Sequence, residues 1–234
     1  MNEYIIEFLS FEWTRNFITT FFLISFFLFV GKLFNKKQNL IVAKSFSISL
    51  LVVTITSHYG NIESNQWSLK EHLPLHLCSI NSLICISILF LPKIKSLYEF
   101  NFYGGVLGGT VAILTPQIND YDGSNLEYLI YYLSHGLIIL IPLYLFYYLN
   151  YELRKLSWLR TLFFLNILMI ILIPLNKYLQ SNYMYVNEPP KVDNPLIIGD
   201  WPIYLINLEL IIVLLFSITY FIFTKVSLFK PKKI

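Results

Sequence analysis

Seven long apolar stretches, separated by short polar connections, constrain this chain more than any other feature. Of its 234 residues, 56% are hydrophobic and only 13% are charged, whereas about 25% of the residues in an average globular domain are charged. A membrane-spanning helix needs roughly 20 apolar residues, so seven crossings use most of the chain and leave no separate soluble domain. The sequence therefore predicts an all-α bundle of seven transmembrane helices, which forms one domain over residues 16–234.

The predicted spans are continuously apolar, whereas the strands of a membrane β-barrel alternate in polarity over about 10 residues. The spans cover residues 16–34, 40–56, 74–91, 97–114, 127–148, 158–179 and 201–223. Residues 1–15 have no basic leader or cleavage site of the kind found in a secretory signal peptide. Their glutamates lie among apolar side chains, which indicates either a short amphipathic helix in the membrane interface or a frayed terminus.

The connections between the spans differ strongly in charge. With seven spans, thirteen of the 17 basic residues lie on the side of the C-terminus, and only Arg15, Lys70, Lys177 and Lys191 lie on the other. Basic residues concentrate on the cytoplasmic side of membrane proteins, so we predict an outer N-terminus and a cytoplasmic C-terminus. The long polar connections 58–72, 116–125 and 180–200 then lie outside, where loops on a rigid scaffold often carry function.

A segment at the outer start of the third span combines several groups that carry chemistry. Residues 73–81 read LPLHLCSIN, and proline is favoured in the first turn of a helix. A helix that begins at Pro74 places Cys78 about 6 Å along its axis, near the level of lipid ester carbonyls. We interpret Cys78 as a candidate nucleophile and His76 as a substrate contact. Backbone donors near Ser79, or the side chain of Asn81, are candidates for stabilising an oxyanion in bound substrate.

Two polar residues inside later spans complete a possible catalytic set. His135 lies about 12 Å along the fifth span, and an intramembrane histidine is a candidate functional residue. Glu209 reaches a similar depth in the seventh span. Cys78, His135 and Glu209 would then serve as nucleophile, general base and orienting carboxylate. Asn207 and Asp200 are alternatives for the last role.

Each of these residues also has a structural interpretation. A cysteine in a membrane helix is usually a small packing residue, and we assign Cys85 to packing. Glu209 is also suited to a hydrogen bond between helices. His76, Cys78 and His135 would together suit zinc, but no metal motif of the HExxH type is present. We predict no metal and no other cofactor.

Glycine and aromatic residues follow recognisable membrane patterns. Four glycines, at positions 104, 105, 108 and 109, form two overlapping small-xxx-small pairs, which are typical of close helix packing. Tyrosine and tryptophan near the outer helix ends are typical of an interfacial aromatic belt. A lipid-headgroup pocket is the alternative, and for it we select Tyr131, Tyr183 and Trp201 as substrate contacts.

Five segments, in this order and spacing, resemble the YwaF-type bacterial integral membrane proteins. The segments are LPLHLC at 73–78, LTP at 114–116, SHG at 134–136, NYMY at 182–185 and GDWPIY at 199–204. In the last segment, Asp200 stands where the family has proline and Ile203 where it has a second tryptophan. The resemblance covers nearly the whole chain beyond the first span. It implies a multi-pass protein of the bacterial cytoplasmic membrane.

That bacterial family is similar to the eukaryotic transmembrane protein 164 acyltransferases, which move a fatty acyl chain between phospholipids with a cysteine and a histidine on different helices. The resemblance implies Cys78 as nucleophile and His135 as general base. The predicted function is acyl transfer or hydrolysis on a membrane phospholipid or lysophospholipid, through a thioester. The alternative is a non-enzymatic carrier or receptor for a small polar solute or a lipid headgroup. No nucleic-acid partner is predicted.

Overall fold

The computed structural model describes residues 3–119, 121–192 and 194–228, and most of this part of the chain is helical. Its α-helices are α1 (Phe11–Val30), α2 (Lys36–Glu63), α3 (Leu77–Ser87), α4 (Lys95–Leu114), α5 (Asn125–Tyr148), α6 (Ser157–Leu179) and α7 (Ile203–Leu228). Short 3₁₀ helices cover Gly31–Leu33 and Tyr183–Tyr185, and strand β1 (Tyr4–Ile5) pairs antiparallel with β2 (Gln117–Ile118). The predicted all-α architecture is confirmed.

The helices differ in how well they suit a bilayer. Five of them, α1, α2, α5, α6 and α7, are long and apolar enough to cross a membrane. Helix α4 lies at the centre of the bundle, against α3, α5, α6 and α7. Helix α3 has only 11 residues, which corresponds to about 16 Å, whereas the hydrocarbon core of a bilayer is about 30 Å thick. The third helix is therefore shorter than the predicted span 74–91.

Helix α3 is short because hydrogen bonds to a later loop hold the preceding chain out of the helix. The Leu73 N–H donates to the Tyr183 hydroxyl at 2.9 Å, and that hydroxyl donates to the Leu69 carbonyl at 2.8 Å. The Leu75 N–H donates to the Leu73 carbonyl at 2.7 Å. These bonds fix a turn where the sequence predicted a helix, so α3 begins at Leu77 and not at Pro74.

Glycines on two faces of α4 let α3 and α5 approach its backbone. A methyl group at Gly104 would lie 2.6 Å from Asn81 Nδ2 of α3, and one at Gly109 would lie 2.7 Å from Ile139 Cγ1 of α5. A larger side chain at either position would push a neighbouring helix away. The predicted packing role is confirmed, with the glycines at 104 and 108 facing α3 and those at 105 and 109 facing α5.

A proline in α5 explains why one of these glycines is needed. Pro142 has no N–H to donate to the Ile138 carbonyl four residues earlier. That carbonyl faces α4, where a Cβ atom on Gly105 would lie 2.6 Å from its oxygen. The Tyr98 hydroxyl of α4 donates to the Pro142 carbonyl at 3.2 Å. Gly105 of α4 thus makes room for the Ile138 carbonyl oxygen, which lacks its usual hydrogen bond within α5.

A buried carboxylate holds one end of the bundle, which we call the Glu99 end. The Glu99 side chain in α4 is 1% exposed and accepts a hydrogen bond from Arg154 Nε at 2.8 Å and another from Arg160 Nη2 at 3.1 Å. Arg154 Nη2 also donates to the second carboxylate oxygen at 2.8 Å. These charge-assisted bonds tie α4 to the α5–α6 connection and to α6.

The N-terminal segment is fastened to the opposite end of α4, which we call the cavity end. Residues 4–5 form strand β1, and Ser10 caps α1, which begins at Phe11 and not at residue 16. Trp13 Nε1 donates to the Leu114 carbonyl, at the last residue of α4, over 2.8 Å. Residues 4–5 are thus a strand and residues 11–15 belong to α1, and a location of the segment in the membrane interface stays a prediction. Residues 1 and 2 lie outside the described part.

Candidate functional site

An elongated cavity of about 520 Å³ lies between α2, α3, α4, α5, α6 and α7. On α4 its lining runs from Tyr103 to Thr115, twelve residues or about 18 Å along the axis. Toward the cavity end of α4 it is lined by polar side chains such as Gln117 and Asn119, and toward the Glu99 end by apolar ones such as Ile212 and Phe216. The cavity therefore suits a molecule with a polar head and an apolar chain.

Cys78 lies on the cavity wall in the first turn of α3. His76 is the N-cap residue, but its side chain makes no capping hydrogen bond. Within the described residues, the backbone N–H groups of Leu77, Cys78 and Ser79 have no acceptor, as expected for the first turn of an uncapped helix. All three residues line the cavity. The thiol thus lies beside a helix N-terminus with free donors.

His135 lines the same cavity from α5, and its own helix orients it. Its Nδ1 lies 2.7 Å from the Tyr131 carbonyl. A carbonyl can only accept, so Nδ1 carries the proton of the neutral imidazole and Nε2 carries the lone pair. The Tyr131 ring packs on the imidazole with a centroid distance of 4.3 Å, and its hydroxyl donates to the Ala112 carbonyl at 2.8 Å. The imidazole is held in the tautomer that a general base requires.

Two adjacent glycines place Cys78 and His135 at one level of α4. A Cβ atom on Gly108 would lie 3.9 Å from Cys78 Sγ, and one on Gly109 would lie 3.1 Å from the His135 carbonyl oxygen. The sequence placed these two residues about 6 Å apart in depth. In the structure Cys78 Sγ and the His135 carbonyl oxygen lie beside two neighbouring residues of α4. Cys78 and Tyr131 both line the cavity.

His76 and Tyr131 also line the cavity, although both already make hydrogen bonds within the protein. His76 Nδ1 accepts a hydrogen bond from the Met184 N–H at 3.2 Å, and its ring packs against Tyr183 and Tyr185 with centroid distances of 5.2 Å each. His76 therefore holds the 183–185 loop against the start of α3. His76 also lines the cavity, and its role as a substrate contact stays a prediction.

Glu209 is separated from the imidazole that it was predicted to orient. It accepts a hydrogen bond from Asn166 Nδ2 of α6 at 2.7 Å and lines a second, smaller cavity of about 50 Å³. The Tyr131 carbonyl occupies the orienting position on His135. The plainer interpretation of Glu209, a hydrogen bond between helices, is what the structure contains. Depth along a helix did not reveal which face of α7 carries the carboxylate.

Three other predicted substrate contacts lie outside the lining of the large cavity. Asn81 is fully buried against Gly104, and its Nδ2 donates to the Leu77 carbonyl at 2.8 Å. Tyr183 is fully buried, with its hydroxyl used by the chain before α3. Trp201 is 51% exposed and donates through Nε1 to the Val186 carbonyl at 3.1 Å. These side chains hold helices and loops together instead of facing the cavity.

Tyr185 is a cavity residue that the sequence analysis assigned to the interfacial aromatic belt and did not select as a substrate contact. It lines the cavity, and its carbonyl accepts a hydrogen bond from the Tyr204 hydroxyl at 2.6 Å. Burial raises the pKa of the Tyr185 phenol, so the group is neutral at physiological pH. The alternative that was left open for the belt, a headgroup pocket, was the available signal.

The residues that suited zinc do not form a metal-binding group. Over residues 3–119, 121–192 and 194–228, no three His, Cys, Asp or Glu side chains are grouped as they would be around a metal ion. His76, Cys78 and His135 share a cavity wall, but the His76 Nδ1 lone pair is already used by the Met184 N–H. The site offers a thiol, an imidazole and backbone donors.

Comparison with known proteins gives one match. A family model described as the TMEM164 family matches residues 8–220, which is most of the chain. No curated protein and no solved structure matches it significantly.

Proposed function

The chain belongs to the TMEM164 family, and from that premise we propose that it transfers or hydrolyses acyl chains of membrane phospholipids with Cys78 as nucleophile. The observation that carries this proposal is the placement of Cys78 and His135 at one level of an amphipathic cavity, beside the free N–H groups of α3. Nucleophile, base and donors are the parts that acyl transfer needs.

In the first half-reaction, His135 Nε2 accepts the Cys78 thiol proton while the sulfur attacks the ester carbonyl carbon. Burial disfavours a free thiolate, so proton transfer and attack are coupled. The tetrahedral intermediate then breaks its bond to the lipid oxygen, which takes the proton from Nε2. The products are a lysolipid and an acyl thioester on Cys78.

In the second half-reaction, the hydroxyl of an acceptor lysolipid gives its proton to His135 Nε2 and attacks the thioester carbonyl. The carbon–sulfur bond breaks, and the sulfur regains its proton from the imidazole. Water in place of the lysolipid gives hydrolysis. The cavity lining is mostly apolar below the level of Cys78, which favours lipid over water as acceptor.

The free N–H groups at the start of α3 are the proposed oxyanion donors. They point along the helix axis, and the partial positive charge of a helix N-terminus stabilises an anion there. Losing one oxyanion donor typically costs about 10² to 10³ in rate. The sequence left two alternatives open, backbone donors near Ser79 or the Asn81 side chain, and burial of Asn81 against α4 supports the backbone donors.

We further propose seven crossings of a bacterial cytoplasmic membrane, with the N-terminus outside and the cavity in the outer leaflet. The basic residues Lys93, Arg154 and Arg160 all lie at the Glu99 end, away from the cavity. Such clustering is typical of the cytoplasmic side. The irregular chain before α3 is protected by protein and lines the cavity, the setting in which non-helical backbone is tolerated at membrane depth.

The test is detection of the thioester. The purified protein is incubated with phosphatidylcholine in detergent, and its intact mass is compared with those of Cys78→Ala, His135→Ala and Cys85→Ala. We expect a hydroxylamine-sensitive acyl adduct on the unmodified protein and on Cys85→Ala, none on Cys78→Ala, and formation at least about 100-fold slower in His135→Ala. Equal labelling of all four proteins would exclude the mechanism. Absence of an adduct, together with solute uptake into proteoliposomes by Cys78→Ala, would instead support a carrier.

A further inference from the structure

Toward the Glu99 end, the cavity is closed by two aromatic rings. Tyr103 of α4 and Phe216 of α7 both line the cavity, and their ring centroids lie 4.9 Å apart. Tyr103 is fully buried and Phe216 is 4% exposed. The Tyr103 hydroxyl shares a hydrogen bond of 2.8 Å with the Ser157 hydroxyl. This bond fixes one ring of the pair, so the closure is rigid.

A second aromatic layer lies beneath the first. Phe102 packs on Phe146 and Phe223 with centroid distances of 5.7 and 4.9 Å. These rings join α4, α5 and α7 at the Glu99 end. A chain that descends through the cavity therefore meets packed rings and not a continuation toward the other leaflet.

The depth of this closure below the sulfur follows from positions on α4. Cys78 Sγ lies at the level of Gly108, and Tyr103 is five residues further from the cavity end, or about 7.5 Å along the axis. An extended chain advances about 1.2 Å per bond. A straight acyl chain held at Cys78 thus reaches the rings after about six bonds, and a longer chain cannot extend further along the axis.

We propose that Tyr103 and Phe216 form a floor that sets the length of acyl chain bound below Cys78. The proposal rests on the proposed function only in taking a lipid chain as ligand. Each methylene that a chain buries contributes about 0.8 kcal/mol, which is about fourfold in Kd. Affinity then rises by about this factor per methylene until the chain reaches the floor, and levels off for longer chains.

The floor can be moved in both directions. Phe216→Ala removes one ring and deepens the cavity, so the plateau shifts to longer chains. Leu107→Phe adds a ring one helical turn above Tyr103, on the same lining, so the plateau shifts to shorter chains. Tyr103→Phe keeps the ring and loses only the hydroxyl, so the plateau stays in place. Phe221→Ala, at a position of α7 that is 62% exposed, is the matched control for loss of a phenylalanine.

The experiment measures Kd for saturated lysophosphatidylcholines from butanoyl to tetradecanoyl, a series that brackets the expected plateau, by native mass spectrometry. All variants are made in the Cys78→Ala background, so that binding does not depend on chemistry. Phe216→Leu, which removes less volume, accompanies Phe216→Ala in case the larger change prevents folding. For the chain that just exceeds the original plateau, we expect each newly buried methylene to tighten binding about fourfold in Phe216→Ala.

An unchanged plateau in both Phe216→Ala and Leu107→Phe would overturn the floor, and so would failure of every chain length to bind. Plateaus that shift as expected while the unmodified protein forms no thioester would support the floor and reject the catalytic function. Thioester formation with an unchanged plateau would support the catalytic function and reject the floor.

Discussion

The two ends of the bundle are built on different principles. At the Glu99 end, a buried carboxylate bound by two arginines and a cluster of phenylalanine rings join α4, α5, α6 and α7. At the cavity end, the same helices separate around about 520 Å³ of space, and short irregular segments replace the first turns of a full-length α3.

This difference indicates that the two ends of α4 have different roles, one in stability and one in forming the cavity. Helix α4 is held firmly at Glu99 and leads from there, through its glycine pairs, to the level of Cys78 and His135. Firm packing at one end allows loose packing at the other, because stability need not be uniform across a protein. Changes at the Glu99 end should thus cost the most stability, and changes at the rim of the cavity the least.

The largest expected loss of stability comes from removing both arginines that bind Glu99. Arg154→Ala combined with Arg160→Ala leaves the buried Glu99 carboxylate without a charged partner, which should cost about 3 kcal/mol or more. Unfolding in mixed micelles measures the loss. Adding Glu99→Gln to the double variant should restore much of it, because no buried charge remains. A triple variant as unstable as the double one would show that packing, and not the unpaired charge, decides stability at this end.

A smaller effect is expected where α4 meets α5. Gly105→Ala places a methyl group 2.6 Å from the Ile138 carbonyl oxygen, and such overpacking typically costs about 1–3 kcal/mol. The control is Gly136→Ala on α5, where the methyl group would lie 3.4 Å from Thr20 Cγ2, an ordinary contact. Gly136→Ala should leave the melting temperature in detergent unchanged or raise it. If both variants lose stability equally, close approach of the helices is not the reason for Gly105.

At the cavity itself, Tyr131→Phe should cost about 1 to 2 kcal/mol, because the hydroxyl also accepts a hydrogen bond from the Gln117 N–H at 3.3 Å and each bond contributes about 1 kcal/mol net. The change removes the hydroxyl that donates to the Ala112 carbonyl and keeps the ring that packs on His135. Thermal unfolding measures the difference, with Tyr59→Phe, at a residue that is 63% exposed, as control. A loss near that of the arginine double variant would contradict the contrast between the two ends.

The smallest effect is expected at the rim. The Lys191 ammonium lies 2.8 Å from a Glu3 carboxylate oxygen, but its side chain is 74% exposed, and exposed ion pairs contribute little to stability. Lys191→Ala should leave the melting temperature unchanged within error, at low and at high salt. A clear decrease that disappears in salt would mean that the N-terminal segment is held mainly by charge.

The sequence predicted most of the helices and part of the site. Continuous apolar runs locate helices because they must satisfy their own backbone in lipid, and the glycine spacing correctly indicated close packing. Cys78 and His135 were selected as unusual residues at outer depths, and both line the cavity. His76 and Tyr131 followed from their neighbourhood to these two along the chain.

The places where the structure differs from the sequence-based prediction have a common physical origin. Depth along a helix follows from counting residues, but the face that a side chain occupies depends on neighbours that one sequence does not specify. Glu209 therefore pairs with Asn166, and Asn81 packs against a glycine instead of facing substrate. The start of α3 was missed because the hydroxyl that displaces it, on Tyr183, is 110 residues away from Leu73.

That long separation has a consequence for how the chain is made. The backbone before α3 makes two hydrogen bonds to one hydroxyl, that of Tyr183, in a loop that the ribosome synthesises only after the sixth helix. Until that loop arrives, the nascent segment at 69–75 exposes those peptide groups to whatever surrounds it, whether translocon, water or lipid. We therefore expect truncated nascent chains that end before residue 180 to leave Cys78 open to maleimide reagents, and those that extend past residue 186 to protect it.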